Sequence, residues 1–417
     1  MKVLVVGGGG REHTIVWKLS KSPKITKLYC APGNGGIAAL AECIDIAATD
    51  ISGMVAFAKQ AEMDLVVVAP DDPLAMGMVD ALEAVGIKAF GPRQNAAMIE
   101  ASKAYAKELM EKYNIPTAGY AVFSEYEAAR AYVAEAKLPL VVKADGLALG
   151  KGVLICHTRA EAEAALAQVM LEKQFGDAGN TVVIEEFIEG PEVSVLTFTD
   201  GKTILPMKSA QDHKRALDGD GGLNTGGMGT FTPTPKYTPA IQKQVEEEII
   251  IPSMHALNQE GRPFQGVIFF GLMLTETGPK LLEYNARFGD PETQSVLYLL
   301  KTDLLSVFEA VVEARLEDIT LEWEEGAAVC IVMASGGYPG HYETGKLITG
   351  LDKVDADVMV FHAGTKLKDG AYYTAGGRVL GVVAKGKDIA AAREKAYANV
   401  KKIHFEGAMY RKDIGIK

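Results

Sequence analysis

The stretch from Gly266 to Thr293, GVIFFGLMLTETGPKLLEYNARFGDPET, constrains the fold of this chain more than any other. Two apolar runs joined by a short polar turn predict an antiparallel hairpin of two long strands. The second arm changes character near its end. Glu283, Asn285 and Arg287 stand at alternate positions, so a strand projects them from one face, with Leu282, Tyr284 and Ala286 on the other. Such a polar face is either a solvated sheet surface laced with ion pairs or a working surface. A carboxylate beside an amide oxygen suits Mg²⁺, a hard ion that shares its oxygen ligands with phosphates. Arg287 is placed to steady charge developing during phosphoryl transfer.

The rest of the chain supplies a frame for that hairpin. From residue 1 to about 90, short apolar strands (KVLVV, KLYCA, DLVVVAP, KAF) alternate with helical patterns, the βαβ rhythm of a parallel sheet. A single helix is expected over AAMIEASKAYAKELMEKYN, closed by Ile115-Pro116. A compact α/β unit follows, with strands AVF, LPLVVKA, VLICH and TVVIEEF and two helices. After it come strands EVSVLTFTD and KTILPMKSA, then DGDGGLNTGGMGTFTPTPKYTP, which reads as irregular chain. Strands AAVCIVMAS and RVLGVVAKG and a helix from Asp388 are expected beyond residue 327.

Length and charge limit the function classes. At 417 residues the chain is long enough for two to four domains. With 43 basic against 54 acidic residues its net charge is −11, which disfavours a general nucleic-acid surface. Cys30, Cys43, Cys156 and Cys330 show no CxxC spacing, and no HExxH occurs, so neither a disulfide framework nor a zinc site is signalled. The apolar start MKVLVV stops at glycine before secretory length, and no run approaches the ~20 residues of a membrane span. A cytoplasmic protein is expected.

Four further stretches carry chemical signals. VLVVGGGGREH opens like a dinucleotide loop, but the third position of GxGxxG is Glu12 and no acid closes the second strand. A structural turn or an anion site at a helix N-terminus are the alternatives. VVKADGLALGKGV places Lys143 in an apolar strand before a loop ending at Lys151, either a lid over a polyphosphate or a lysine snorkelling from an ordinary strand. It is no Walker loop, since Gly152 stands where Ser or Thr is required. VVIEEFIEGPEVSV is either a solvated acidic hairpin or a linker contacting a nucleobase and ribose. DHKRALDGDGGLNTGGMG is either merely flexible or wraps a ligand with its backbone.

The order of these pieces, a lysine strand, a glycine loop, an acidic linker and a strand bearing Glu-x-Asn-x-Arg, resembles the ATP-grasp superfamily. RFGDPETQ at Arg287 to Gln294 is similar to the signature of the glycinamide ribonucleotide synthetase family. APGNGG, FGPRQNAAMIEASKAYAK, SAQDHKRALDGDGGLNTGGMGTFTP and GGRVLGV fit the same family, so the resemblance runs from end to end.

It implies an α/β chain: a Rossmann-like parallel-sheet domain over 1–101, an ATP-grasp fold over 102–326 with a small lid subdomain at 122–190, and a small C-terminal α/β domain over 327–417. It also implies ATP-dependent joining of glycine to 5-phospho-β-D-ribosylamine through glycyl phosphate, by a cytoplasmic monomer acting on small molecules, with no nucleic acid and no membrane. Carried over, Lys103, Lys143, Gly150 and Lys151 would meet ATP phosphates. Glu185, Glu186, Phe187 and Ile188 would face the adenine and Glu192 the ribose, with Glu283 and Asn285 holding Mg²⁺ or Mn²⁺. Arg287 would steady the transferring phosphoryl group. Asp212, His213, Lys214, Asn224, Thr225, Gly226, Gly227, Met228 and Asp290 would line the acceptor side, with Asp212, Lys214 and Asp290 beside the reacting atoms. Gly8, Gly9, Gly10, Arg11, Glu12, Pro32, Gly33 and Asn34 would see the phosphoribosyl group.

Three departures stand out. The strand VIFFGLML offers no extra acidic metal ligand, Leu149 replaces a small residue in the lid stretch, and Asp71-Asp72-Pro73 stands where the family has Glu-Asp-Pro. A different ATP-grasp ligase or carboxylase, a nucleotide-binding regulator without turnover and a dinucleotide-dependent oxidoreductase are the competing readings.

Overall fold

A computed structural model of the chain describes residues 1–147 and 152–416. Its N-terminal strands form a parallel sheet in the order Glu42–Cys43, Lys27–Pro32, Lys2–Gly7, Leu65–Val68, Ala89–Phe90. Helices cover both faces, so Val3 and Val5 enter one core while Leu4 and Val6 enter another.

The helix expected over 96–114 is two helices, Gln94–Ala101 and Lys103–Lys112. Ser102 between them has extended backbone, and its hydroxyl accepts from Tyr105 N at 3.1 Å. Asp145 reinforces the break by accepting from Ser102 Oγ and Ala104 N. A serine able to cap outcompetes its own place in a helix interior.

Strands Tyr120–Phe123, Val182–Glu186, Leu140–Ala144 and Val153–Cys156 form a small antiparallel sheet with its own core, including Val133, Val142, Leu166 and Ile184. The larger sheet runs Ile204–Pro206, Glu192–Thr199, Gly266–Thr275, Gly278–Asn285, and contains the expected hairpin. Its alternation departs from expectation at one point. The register pairs Gly271 with Glu283 and Leu272 with Leu281, leaving Leu282 as the extra residue of a bulge. Leu281 and Tyr284 therefore share the core, and Leu282 is only partly buried.

The glycine-rich region expected to be irregular contains strands. Gln211–Asp212 and Gly229–Thr232 join Ala327–Ala334, Arg378–Gly386 and Val358–His362 in one antiparallel sheet, backed by helix Ile389–Val400. Gly229 permits this close pairing: a Cβ there would lie 2.6 Å from the carbonyl oxygen of Cys330. Asp212 is thereby carried on a sheet built mostly from the C-terminal part of the chain. Among the described residues, no helix is long and apolar enough to cross a membrane.

Candidate active site

The bulge sets the polar face at the end of strand Gly278–Asn285. Gly271, opposite Glu283, leaves room for the carboxylate stem; a Cβ there would come within 3.1 Å of Glu283 Cγ. Lys214 Nζ lies 3.6 Å from Glu283 Oε1 and 3.6 Å from Glu192 Oε2. Desolvation pushes the Glu283 carboxyl up, but the cations of Lys214, Lys143, Lys103 and Arg287 outweigh it and bring it down to about 2. Asn285 Oδ1 accepts from Arg287 Nη2 at 3.2 Å, and the same nitrogen lies 2.9 Å from Glu100 Oε1. Glu100 is fixed in turn by accepting from Ala286 N at 2.7 Å.

Lys143 Nζ on the small sheet and Lys107 Nζ on helix Lys103–Lys112 lie 2.8 and 3.0 Å from the two oxygens of Glu185. All three side chains are buried. The Glu185 carboxylate is thus occupied by lysines, and its main chain runs in the sheet between Tyr120 and Val141. Burial lowers Lys107 to about 8 despite the attraction of Glu185. Lys103 Nζ donates to Gly146 O at 2.7 Å, holding a third ammonium near the start of the glycine loop. Glu186 pairs with Lys280 at 3.3 Å, and Phe187 sets its ring edge-on to His157, with Ile188 just beyond the strand end. Gly150 and Lys151 lie outside the described residues.

The N-terminal glycine loop meets the RFGDPET loop directly. Arg11 N donates to Asp290 Oδ2 at 3.2 Å, and Arg11 Nη1 donates to Phe288 O at 3.0 Å. A Cβ at Gly10 would strike Gln294 Nε2 at 2.6 Å, and one at Gly8 would strike Gly33 O at 2.4 Å. Glu12 accepts from Gly9 N at 2.7 Å and from Arg11 Nε at 2.7 Å, so the acid at the third motif position caps its own helix. Asn34 donates to Gly8 O and His362 O and accepts from Gly36 N and Ile37 N. Pro32 is exposed beside it.

His213 and Met228 are fully buried, with the imidazole 5.8 Å from the Phe231 ring. Glu12 is buried as well, while Asn34 is half-buried with its amide bonded to neighbouring backbone groups. Asn224 pairs with Arg215 in a short hairpin. Thr225 Oγ1 donates to Lys214 O and accepts from Gly227 N, shaping the loop over Asp212. Asp290 is held below the ordinary carboxylate range: burial works against this, but Arg378, Arg11 and Gln294 prevail.

Sequence reasoning passed over Glu100, Lys107, Glu292 and Arg378. Arg378 Nη1 reaches the carbonyl oxygens of Gly226 at 2.6 Å and Asp290 at 2.8 Å, tying the C-terminal sheet to both loops. Lys107 stands one helical turn after Lys103, a spacing that could have flagged it. Glu292 is buried, and its Oε1 accepts from Ser194 Oγ at 3.2 Å.

Three domains described for phosphoribosylglycinamide synthetase match this chain in order: the N domain at residues 1–100, the ATP-grasp (A) domain at 101–293 and the C domain at 328–417. The chain belongs to the phosphoribosylglycinamide synthetase family. The phosphoribosylamine–glycine ligase of Caldanaerobacter subterraneus subsp. tengcongensis is 50% identical over 414 residues, spanning 99% of each chain. The crystal structure of the phosphoribosylamine–glycine ligase of Thermotoga maritima superposes with a TM-score of 0.87 at 33% identity, covering 99% of this chain and 100% of that one. A biotin carboxylase from Campylobacter jejuni, at 16% identity, covers 100% of this chain and 94% of its own with a TM-score of 0.76, and shares the fold alone.

Proposed function

We propose that this chain joins glycine to 5-phospho-β-D-ribosylamine, converting ATP to ADP and phosphate by way of glycyl phosphate, the second step of de novo purine synthesis. The full-length family match carries this reading. ATP-grasp enzymes use ATP and divalent metals; here the ion would be Mg²⁺ or Mn²⁺. Glu283, kept ionised, and Asn285 offer the hard oxygen donors such an ion takes, and would hold it. When bound, it would neutralise phosphate charge.

The chain's own residues divide the work. Lys143 and Lys103, with Lys151 from the glycine loop, would grip the phosphates. Glu185 would orient Lys143 and Lys107 while the main chain through Phe187 and Ile188 meets the adenine edge, and Glu192 would take the ribose hydroxyls. Arg287, braced from behind by Glu100, would face the phosphoryl group as the glycine carboxylate attacks it. A bare carboxylate is a poor acyl donor, so phosphorylation supplies the leaving group. The loops Gly8–Glu12 and Pro32–Asn34, joined to Asp290, would cradle the acceptor through their main chain.

We assign 1–101 to the N-terminal domain, 102–326 to the ATP-grasp domain with 122–190 as its lid, and 327–417 to the C-terminal domain, in a cytoplasmic monomer. ADP release tests the activity: it should require glycine, freshly generated phosphoribosylamine and a divalent ion together. ADP formation indifferent to glycine would reject the assignment.

A further inference from the structure

The loop that carries Asp290 continues through Pro291 into Glu292 and packs against the segment that carries Asp212. A Cβ on Gly227, whose φ is +114°, would lie 2.7 Å from Asp212 Oδ1 and 2.4 Å from Pro291 Cδ, so Gly227 lies against both segments and lets them approach. Thr230, the cross-strand partner of Asp212, donates its hydroxyl to Pro291 O at 3.1 Å and lies 3.0 Å from Ser295 Oγ. Asp212 Oδ1 accepts from His213 N at 2.7 Å, while Glu292 Oε1 accepts from Ser194 Oγ. Asp212 is partly accessible, whereas Glu292 is 4% exposed.

On the assignment of the activity above, we infer that Asp212 receives the proton released by the acceptor amine, and that Glu292 is a positioning residue that makes Asp212 basic enough to do so. In the step, the nitrogen lone pair of phosphoribosylamine forms a bond to the carbonyl carbon of glycyl phosphate. The carbon–oxygen bond to phosphate breaks with its electron pair left on the phosphate oxygen. The new amide nitrogen then carries one proton too many, and that proton passes to the Asp212 carboxylate. A base of ordinary aspartate strength would be poorly matched to neutral pH.

The surroundings supply the needed basicity. Burial and then the neighbouring Glu292 charge push the Asp212 carboxyl well above its usual range, against the pull of Lys214 and Arg378. Glu292 is raised as well, mainly by burial and also by Asp290, with Lys214 and Arg287 opposing. The Cys330 thiol, which faces the same charges, is pushed up by burial and stays neutral. His213 meets Asp212 through its backbone amide, which donates to Oδ1. Such a pair of like charges titrates as a unit, its upper step set by their repulsion.

Two variants test this. Glu292→Gln removes the like charge, so the acidic limb of kcat/KM for phosphoribosylamine should move to lower pH by roughly one unit. A residue that only packs would leave the limb in place. Asp212→Asn should lose about 10²-fold or more in rate with phosphoribosylamine relative to the rate with hydroxylamine, which captures acyl phosphates without a base. An unmoved limb in Glu292→Gln, or equal losses with the two nucleophiles in Asp212→Asn, would overturn the inference. If the unaltered protein releases no ADP with glycine and either nucleophile, the assigned activity itself fails.

Discussion

The ammonium of Lys214 stands 3.6 Å from the carboxylate of Glu283, on the face where a divalent ion is expected. Lys214 thus occupies the cation position beside a carboxylate that stays ionised down to about pH 2. Replacing Lys214 with Met should remove this competitor. The half-saturating Mg²⁺ concentration should fall by up to about 5-fold, the size of a partly exposed ion pair, while turnover also falls. A metal titration of ADP release at fixed substrates checks both directions.

Glu283→Ala removes the proposed charged ligand itself. Turnover at saturating Mg²⁺ should drop by about 10²-fold or more, with the thermal midpoint little changed because the side chain is a third exposed and packs against a glycine. Near-normal turnover would reject the metal role.

Arg378 holds carbonyl groups from two loops that the sequence separates by more than 60 positions. Arg378→Ala should leave Gly226 O and Asp290 O without their donor and cost about 1–3 kcal/mol in stability. Because both loops are proposed to line the acceptor side, KM for phosphoribosylamine should rise more than KM for ATP. Denaturant melts and steady-state kinetics on one preparation separate the two effects.

Acid sensitivity should come from the contact between the N-terminal helix and the C-terminal sheet. His13 Nδ1 accepts from His362 N at 2.8 Å, which requires an unprotonated nitrogen. Burial, then the neighbouring imidazole, lowers His13 to about 3, and burial lowers His362 to about 4. Unfolded histidines titrate near 6.5, so between pH 6.5 and 4 the unfolded chain binds protons that the folded chain does not. Stability should therefore fall as pH drops through that window, by about 1.4 kcal/mol per unit for each imidazole at full effect. His13→Gln should flatten the slope by about half, and unaltered slope in urea melts would contradict this origin.

Much of this was legible in the chain because it depends on local periodicity. The parallel N-terminal sheet, the small four-stranded sheet and the hairpin with Glu283 and Asn285 follow from runs of apolar residues and their phase. What escaped depends on contacts between distant segments. Ser102 reads as one more residue of a helix until Asp145 arrives to reinforce its cap. Leu282 breaks the alternation only because the register slips opposite Gly271. The glycines near 226–229 signal flexibility when read alone, yet they let a strand seat against Cys330 and the Asp212 segment approach Pro291. The capping role of Glu12 lay within reach, three positions after Gly9, whereas the four hydrogen bonds of Asn34 required the fold.

Isotope transfer from glycine tests the central claim most directly. If the glycine carboxylate attacks the γ-phosphate of ATP, glycine labelled with ¹⁸O in both carboxylate oxygens should deliver a single ¹⁸O to inorganic phosphate in every turnover, seen as an isotope-shifted ³¹P resonance. Inorganic phosphate released without ¹⁸O, while glycinamide ribonucleotide accumulates, would contradict activation of the carboxylate by phosphorylation.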